Sequence, residues 1–154
     1  MATRSMVMIV NRKWSEDSEL GFACDPHFVC DKSFVNMYLH HDGYPSFRGV
    51  ELANWIESKQ GELFSFVDGS RMASHLVHDF HYNSSYLFQD IYGMDHQYTY
   101  IIWTGKKDVW ISCYDQYANE NLFVLPASKV ASKYAVDGMD YTDWQHKLNT
   151  NATG

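Results

Sequence analysis

The stretch that decides the fold is Met37-Tyr-Leu-His-His-Asp-Gly-Tyr-Pro-Ser-Phe-Arg-Gly-Val-Glu-Leu-Ala-Asn-Trp-Ile56. Apolar and polar residues alternate over 33–40, which predicts a strand with two distinct faces. The Asp-Gly-Tyr-Pro run predicts a turn, because aspartate can bond its own backbone, glycine can take a positive φ, and proline interrupts strand pairing. Apolar residues at helical spacing then predict a helix over 47–59. The stretch is therefore a strand–turn–helix corner.

The rest of the chain adds strands and helices on both sides of this corner. The two strongest strand patterns, 97–104 and 108–114, are joined by Gly105-Lys106-Lys107 and predict an antiparallel hairpin at the centre of a sheet, with Ile102 or Trp103 buried. Further strands are predicted over 4–10 and 122–125, and further helices from an N-cap at Ser70 to about 83–85, over 127–134, and after Asp140 around Trp144.

This order of elements predicts an α+β fold. We expect a single domain over residues 1–149, an antiparallel sheet of about five strands with helices packed on one face, and a frayed tail over 150–154. Residues 11–32 are polar and form a long excursion between two strands, and loops of that length are usually functional.

Composition narrows the classes of partner. The chain has 154 residues, of which 45% are apolar and 20% charged, and this balance is typical of one globular domain. Its formal charge is −7, and its adjacent basic pairs are Arg12-Lys13 and Lys106-Lys107, so nucleic acid is not expected as a partner. No apolar run approaches the roughly 20 residues that span a bilayer, so no membrane is expected either. Three cysteines fit a reducing cytoplasm.

The candidate ligand-binding residues are Arg4, His40, His41, Asp42 and Tyr44. An arginine fork, an imidazole and a carboxylate together suit recognition of a phosphate or carboxylate, or acid–base chemistry. The alternative interpretation is structural: Asp42 accepts hydrogen bonds from the turn or from Arg4, and Tyr44 packs on the first helix. Both interpretations remain open at this point.

Two groups of residues that contain histidine are candidate metal sites. Cys24, His27 and Cys30 are three residues apart, and His40 or His41 could supply the fourth ligand of a zinc site, but the spacing matches no established zinc finger. Three histidines of the second predicted helix also recur every third residue (His75, His78 and His81), a spacing at which they converge only loosely, so they are expected to flank the buried side of the helix. We therefore expect no metal and no cofactor.

Catalysis by Cys113 is not expected either. This cysteine lies in a strong strand pattern, and no base lies nearby in the sequence to activate it as a nucleophile.

Two separated motifs carry a resemblance. Thr3-Arg4-Ser5 at the first strand, and Tyr38-x3-Asp42-Gly43-Tyr44-Pro45 followed by Gly49, Glu51 and Leu52, resemble a family of small phage and bacterial proteins. Met72-Ala73 with Leu76-Val77, and Tyr98-x-Tyr100, are similar to further blocks of that family. The chain departs from it in the 11–32 excursion and in His40-His41. The resemblance implies a phage-encoded accessory protein acting in a bacterial host cytoplasm, and it implies no particular reaction.

The expected function is non-enzymatic binding of a host protein or a small polar ligand, in host takeover or counter-defence, through the corner and the 11–32 excursion. The alternative is a hydrolase or a nucleotide-acting enzyme that uses Arg4, His41 and Asp42. The oligomeric state is left open.

Overall fold

The computed structural model describes residues 3–11, 26–59, 68–81, 85–105 and 109–134. Within these ranges the chain forms an α+β fold of six strands and three α-helices, as the order of elements predicts. The strands are β1 Ser5–Asn11, β2 Asn36–Leu39, β3 Ser85–Leu87, β4 Tyr98–Thr104, β5 Trp110–Asp115 and β6 Glu120–Pro126. The helices are α1 Val50–Lys59, α2 Gly69–Phe80 and α3 Ala127–Tyr134.

The six strands form one mixed sheet in the order β3-β2-β1-β4-β5-β6. Four neighbouring pairs are antiparallel, but β1 runs parallel to β4, with Ser5 opposite Tyr98. The predicted α+β fold, with an antiparallel sheet of about five strands, is confirmed, and the structure refines it: the sheet has six strands and one of its five pairs is parallel. The strand that the sequence analysis missed is β3, which has only three residues.

The predicted hairpin is confirmed. Strands β4 and β5 pair antiparallel with Ile102 opposite Ile111, and both Ile102 and Trp103 are buried. Its position needs one correction, because β1 and β4 are the middle pair of the sheet and β6 lies outside β5.

All three helices pack on one face of the sheet, as predicted. Alternate residues of β1 separate the two faces, since Val7 and Ile9 belong to the core under the helices, whereas Met6 and Met8 belong to a second cluster on the opposite face. Val29 and Cys30, where two short 3₁₀ turns meet (Pro26–Phe28 and Cys30–Lys32), and Ile91 in a loop contribute to that second cluster. We call this opposite side the open face.

The helix starts differ in detail from the prediction. The N-cap of α2 is Asp68, whose carboxylate accepts the backbone N–H of Arg71 at 3.1 Å, and Ser70 bonds Asp68 in turn at 2.8 Å. The corner enters α1 through a π-helical turn, Pro45–Gly49, in place of an α-helix starting at residue 47.

Several predicted features lie outside the described residues: Cys24, Lys106, Lys107, the helix around Trp144, the domain limit at residue 149, the tail 150–154, and most of the 11–32 excursion. None of the helices in the described ranges is both long enough and apolar enough to span a bilayer.

Candidate functional site

The corner is fastened to the sheet through the backbone of Gly43. Its N–H donates to the carbonyl of Thr3 at 2.9 Å, and its own carbonyl accepts the hydroxyl of Tyr100 at 2.6 Å. A Cβ at Gly43 would lie 2.8 Å from the Cβ of Ser5, so the glycine is needed for close approach. The positive φ belongs instead to Asp42, at 54°, which corrects the predicted division of roles in the turn.

A buried ion pair supports the corner from the helix side. The guanidinium of Arg48 donates to the carboxylate of Glu51, and its second nitrogen donates to the carbonyl of His41 at 2.8 Å. Arg48 and Glu51 are almost fully buried, so each charge depends on the other for compensation. The pair therefore fixes the backbone from which the two imidazoles project.

Arg4 reaches the corner, but its partner differs from the predicted one. Ser5 pairs with Leu39, so Arg4 lies one residue further along, level with His40. Its guanidinium donates to Asp95 at 2.8 Å, 91 positions away in sequence. Asp42 is exposed, and among the described residues no hydrogen-bond partner is found for its carboxylate. Arg4 thus pairs with Asp95, and the interpretation of Asp42 as an acceptor that stabilises the turn stays a prediction.

His40 and His41 lie together beside Tyr38. The Tyr38 hydroxyl and His40 Nδ1 are 2.8 Å apart, and the rings of His40 and His41 meet edge-on with centroids 4.6 Å apart. Tyr44 instead packs against Phe47 in the turn before α1, with centroids 6.2 Å apart. The structure thus gathers Arg4 and the two imidazoles at one place and leaves Asp42 and Tyr44 outside it.

His40 also belongs to a surface on the open face that we call the aromatic patch. It is formed by Tyr38, His40, Tyr86 and Phe88. The Tyr38 ring lies 6.1 Å from Tyr86, 6.1 Å from Phe88 and 5.9 Å from His40. Tyr86 is 60% exposed and Phe88 39%, and Leu87 between them is 58% exposed. Sequence reasoning missed this patch because it did not predict β3, although the run Tyr86-Leu87-Phe88 was a visible signal.

A polar network borders the patch. The Asp95 carboxylate accepts both Arg4 and the Tyr117 hydroxyl, the latter at 2.9 Å. That hydrogen bond raises the pKa of Tyr117, and burial raises the pKa of Tyr38, although the Arg4 charge opposes the second shift. Both hydroxyls stay protonated at neutral pH and can donate and accept hydrogen bonds.

A concave region lies between α1 and α2, on the side of the sheet opposite the aromatic patch. This cleft has a volume of about 350 Å³ and is lined by Lys59, Ser74, His75, His78 and Asp79. The Asp79 carboxylate accepts Trp55 Nε1 at 2.7 Å and contacts His78 Nδ1 at 2.9 Å and Lys59 Nζ at 3.4 Å. Burial alone would raise the pKa of Asp79, but these three partners outweigh it and lower the pKa below its ordinary value.

The other candidate residues for metal binding or catalysis do not form a cleft or cluster of this kind in the described part of the chain. Within the described ranges, no three His, Cys, Asp or Glu side chains are grouped as a metal site requires. Cys30 is buried, and its thiol contacts the carbonyl of His27 at 3.6 Å. Burial raises the pKa of the Cys113 thiol well above its ordinary value, which disfavours the thiolate needed for nucleophilic attack.

Comparison with known proteins leaves the family open. No protein-family model, curated protein or solved structure matches this chain. The resemblance of the corner to phage proteins therefore stays a prediction.

Proposed function

We propose that this protein is a non-enzymatic binding protein that uses the aromatic patch to contact another protein. In the setting that the corner's resemblance implies, it is a phage accessory protein, and its partner is a host protein in the bacterial cytoplasm. A small polar ligand is the less favoured occupant, because the patch lies on the surface of a strand.

The observation that carries the proposal is the exposure of Tyr86 and Phe88, two aromatic side chains at the outermost strand whose rings both lie beside Tyr38 on the open face. Single exposed apolar residues are ordinary, but contiguous ones mark interaction surfaces. Tyrosine, phenylalanine and arginine are also enriched at interfaces, and tyrosine and arginine are enriched among the residues that dominate binding energy. Tyr38 and Arg4 extend the same surface inward.

The patch is also ordered before any partner arrives. Tyr38 is held by its hydrogen bond with His40 and by ring contacts on both sides, and Arg4 is held by Asp95. Side chains that are already fixed lose little conformational entropy on association. Such a surface therefore supports binding without a large ordering cost.

The backbone of β3 adds a second means of contact. Phe88 donates its N–H to Asn36 on β2, and backbone groups alternate in direction along a strand, so those of Ser85 and Leu87 point to the outer edge of the sheet. In the described part of the chain no strand pairs with that edge. An extended partner segment could add there by main-chain hydrogen bonding.

The proposal is tested by affinity capture from bacterial lysate with three immobilised proteins, followed by quantitative mass spectrometry. The wild type is compared with the double variant Tyr86→Ser, Phe88→Ser and with Phe34→Ser, which removes an equally exposed aromatic ring outside the patch. We expect a retained protein that the double variant loses and Phe34→Ser keeps. Equal retention by all three folded proteins would contradict the proposal.

A second candidate function, hydrolysis, is favoured by the cleft between α1 and α2. The contact of His78 Nδ1 with Asp79 leaves Nε2 as the acceptor, the tautomer that a general base requires. The corner residues of the enzyme alternative, Arg4, His41 and Asp42, show no such imidazole–carboxylate pair among the described residues.

This candidate is tested by hydrolysis of p-nitrophenyl esters. An enzyme of this kind would lose at least tenfold in rate in Asp79→Asn and keep its rate in His81→Gln. Equal rates in the wild type and Asp79→Asn would remove the candidate.

A further inference from the structure

We infer that the segment of the partner that contacts the aromatic patch is cationic and extended, with arginine or lysine side chains laid over the exposed rings. This inference rests on the proposed function and names the chemical class of its partner.

The two segments that build the patch carry negative charge. Residues 36–44 and 85–97 contain three carboxylates, Asp42, Asp90 and Asp95, and neither lysine nor arginine. Arg4, which directly precedes β1, is paired with Asp95. Asp90 lies two residues beyond Phe88, is exposed, and forms no ion pair among the described residues, so the border of the patch next to Phe88 is acidic.

On the open face, carboxylates also lie beside exposed aromatic rings. Tyr92 is 62% exposed, and its pKa is raised by contact with the Cys30 thiol and by the charges of Asp31 and Asp90. Tyr117 is equally exposed and bonds Asp95. At Tyr92 an exposed ring lies close to the charges of Asp31 and Asp90, whereas the carboxylate beside Tyr117 is already paired with Arg4.

Such places suit one kind of side chain. A guanidinium or ammonium gains a cation–π contact from the ring and an ion pair from the nearby carboxylate. A neutral apolar segment would cover the carboxylates without compensation, and an acidic segment would be repelled. The net charge of −7 also attracts a basic partner over a longer range.

The extended shape follows from the edge of β3. The outward backbone groups of Ser85 and Leu87 fit a strand, in which alternate side chains fall on the same face. One set of partner side chains would therefore lie over Tyr86 and Phe88. A helix could not satisfy those backbone groups.

The test uses a fluorescein-labelled octapeptide that alternates arginine and threonine, its counterpart that alternates glutamate and threonine, and spermine as a cation without a peptide backbone. Anisotropy titrations are run on the wild type at low and physiological salt. We expect the arginine peptide to bind at least tenfold more tightly than the glutamate peptide, and spermine to compete weakly. Raised salt should weaken binding.

Variants locate the binding. Loss of the Tyr86 or Phe88 ring is expected to weaken the arginine peptide about two- to fivefold per ring. Asp90→Asn keeps the acceptor for the Tyr92 N–H and removes the charge, and it should weaken binding about two- to fivefold. The matched control is Glu57→Gln, which removes a charge from exposed Glu57 on α1 and should leave binding unchanged.

Two results overturn the inference. One is equal or absent binding of the two peptides, and the other is arginine-peptide binding that Glu57→Gln weakens as much as Asp90→Asn does. Either result leaves the proposed function standing if the double variant still loses a captured protein, so the two failures are distinguishable.

Discussion

The Tyr100 hydroxyl donates a 2.6 Å hydrogen bond to the carbonyl of Gly43, and it joins a central strand to the corner from which the candidate site projects. Both groups are buried, and burial raises the pKa of Tyr100 far above its ordinary value, so the hydroxyl is a permanent donor. The position of the corner is therefore set by the core of the sheet.

Removal of this donor should destabilise the protein. Tyr100→Phe leaves the Gly43 carbonyl without its partner, and we expect the free energy of unfolding to fall by about 1–3 kcal/mol in urea titrations. The control is Tyr98→Phe on the same strand, which should change stability by less than about 0.5 kcal/mol. Equal effects of the two changes would show that the hydroxyl of Tyr100 contributes nothing particular.

A methyl group at Gly43 should also be costly. Its Cβ would lie 2.8 Å from the Ser5 Cβ and 2.9 Å from the Thr3 carbonyl, so β1 would have to shift. We expect Gly43→Ala to cost about 1–3 kcal/mol in thermal or urea unfolding. In Gly49→Ala the new Cβ has its nearest neighbour at 3.5 Å, and stability should stay within about 0.5 kcal/mol. A tolerated Gly43→Ala would contradict the close approach.

Much of the fold could be predicted from the sequence. The features that could not be predicted are long-range pairs and one very short strand. The hairpin of β4 and β5 and the corner before α1 follow from local patterns of residues close in sequence. The parallel pairing of β1 with β4 and the Arg4–Asp95 pair join distant segments, and the local patterns of a single sequence do not reveal which distant segments meet. Strand β3 was missed for a different reason, because three residues are too few to show a period.

Only the part of the candidate site that is local in sequence could be predicted. His40 and His41 were visible in the corner, and the register of β1 with β2 brings Arg4 to them. Tyr86 and Phe88 come from a strand about fifty positions further along, so only tertiary structure adds them to the patch.

Acid should weaken the fold through His96. This residue is buried, its Nε2 and the Thr99 hydroxyl are 2.7 Å apart, and burial lowers its pKa to about 4 from 6.5. The unfolded chain therefore takes up the proton first, and stability falls as the pH drops from about 6.5 to about 4, by roughly 3 kcal/mol. Urea titrations at pH 7.5 and 4.5 should show this loss in the wild type and in His81→Gln, and a smaller loss in His96→Gln. Equal losses in all three would assign the pH dependence to other groups.

A second acid effect should come from Asp79. Its folded pKa is lowered, so its contribution is complete above its ordinary value of 3.8 and is lost as the pH falls through the folded value. We expect Asp79→Asn to be less stable than the wild type at pH 7, and the difference to shrink below pH 4. A difference that is constant from pH 7 to pH 2 would show that the Asp79 charge is not involved.

The central claim is that the aromatic patch contacts another protein, and site-specific photocrosslinking in bacterial cells tests it most directly. Benzoylphenylalanine replaces Tyr86 in one protein and Phe34, outside the patch, in another, and cells are irradiated before the chain is purified under denaturing conditions. The account predicts a discrete crosslinked protein from position 86 and none from position 34. No crosslink from position 86, or the same crosslinks from both positions, would contradict it.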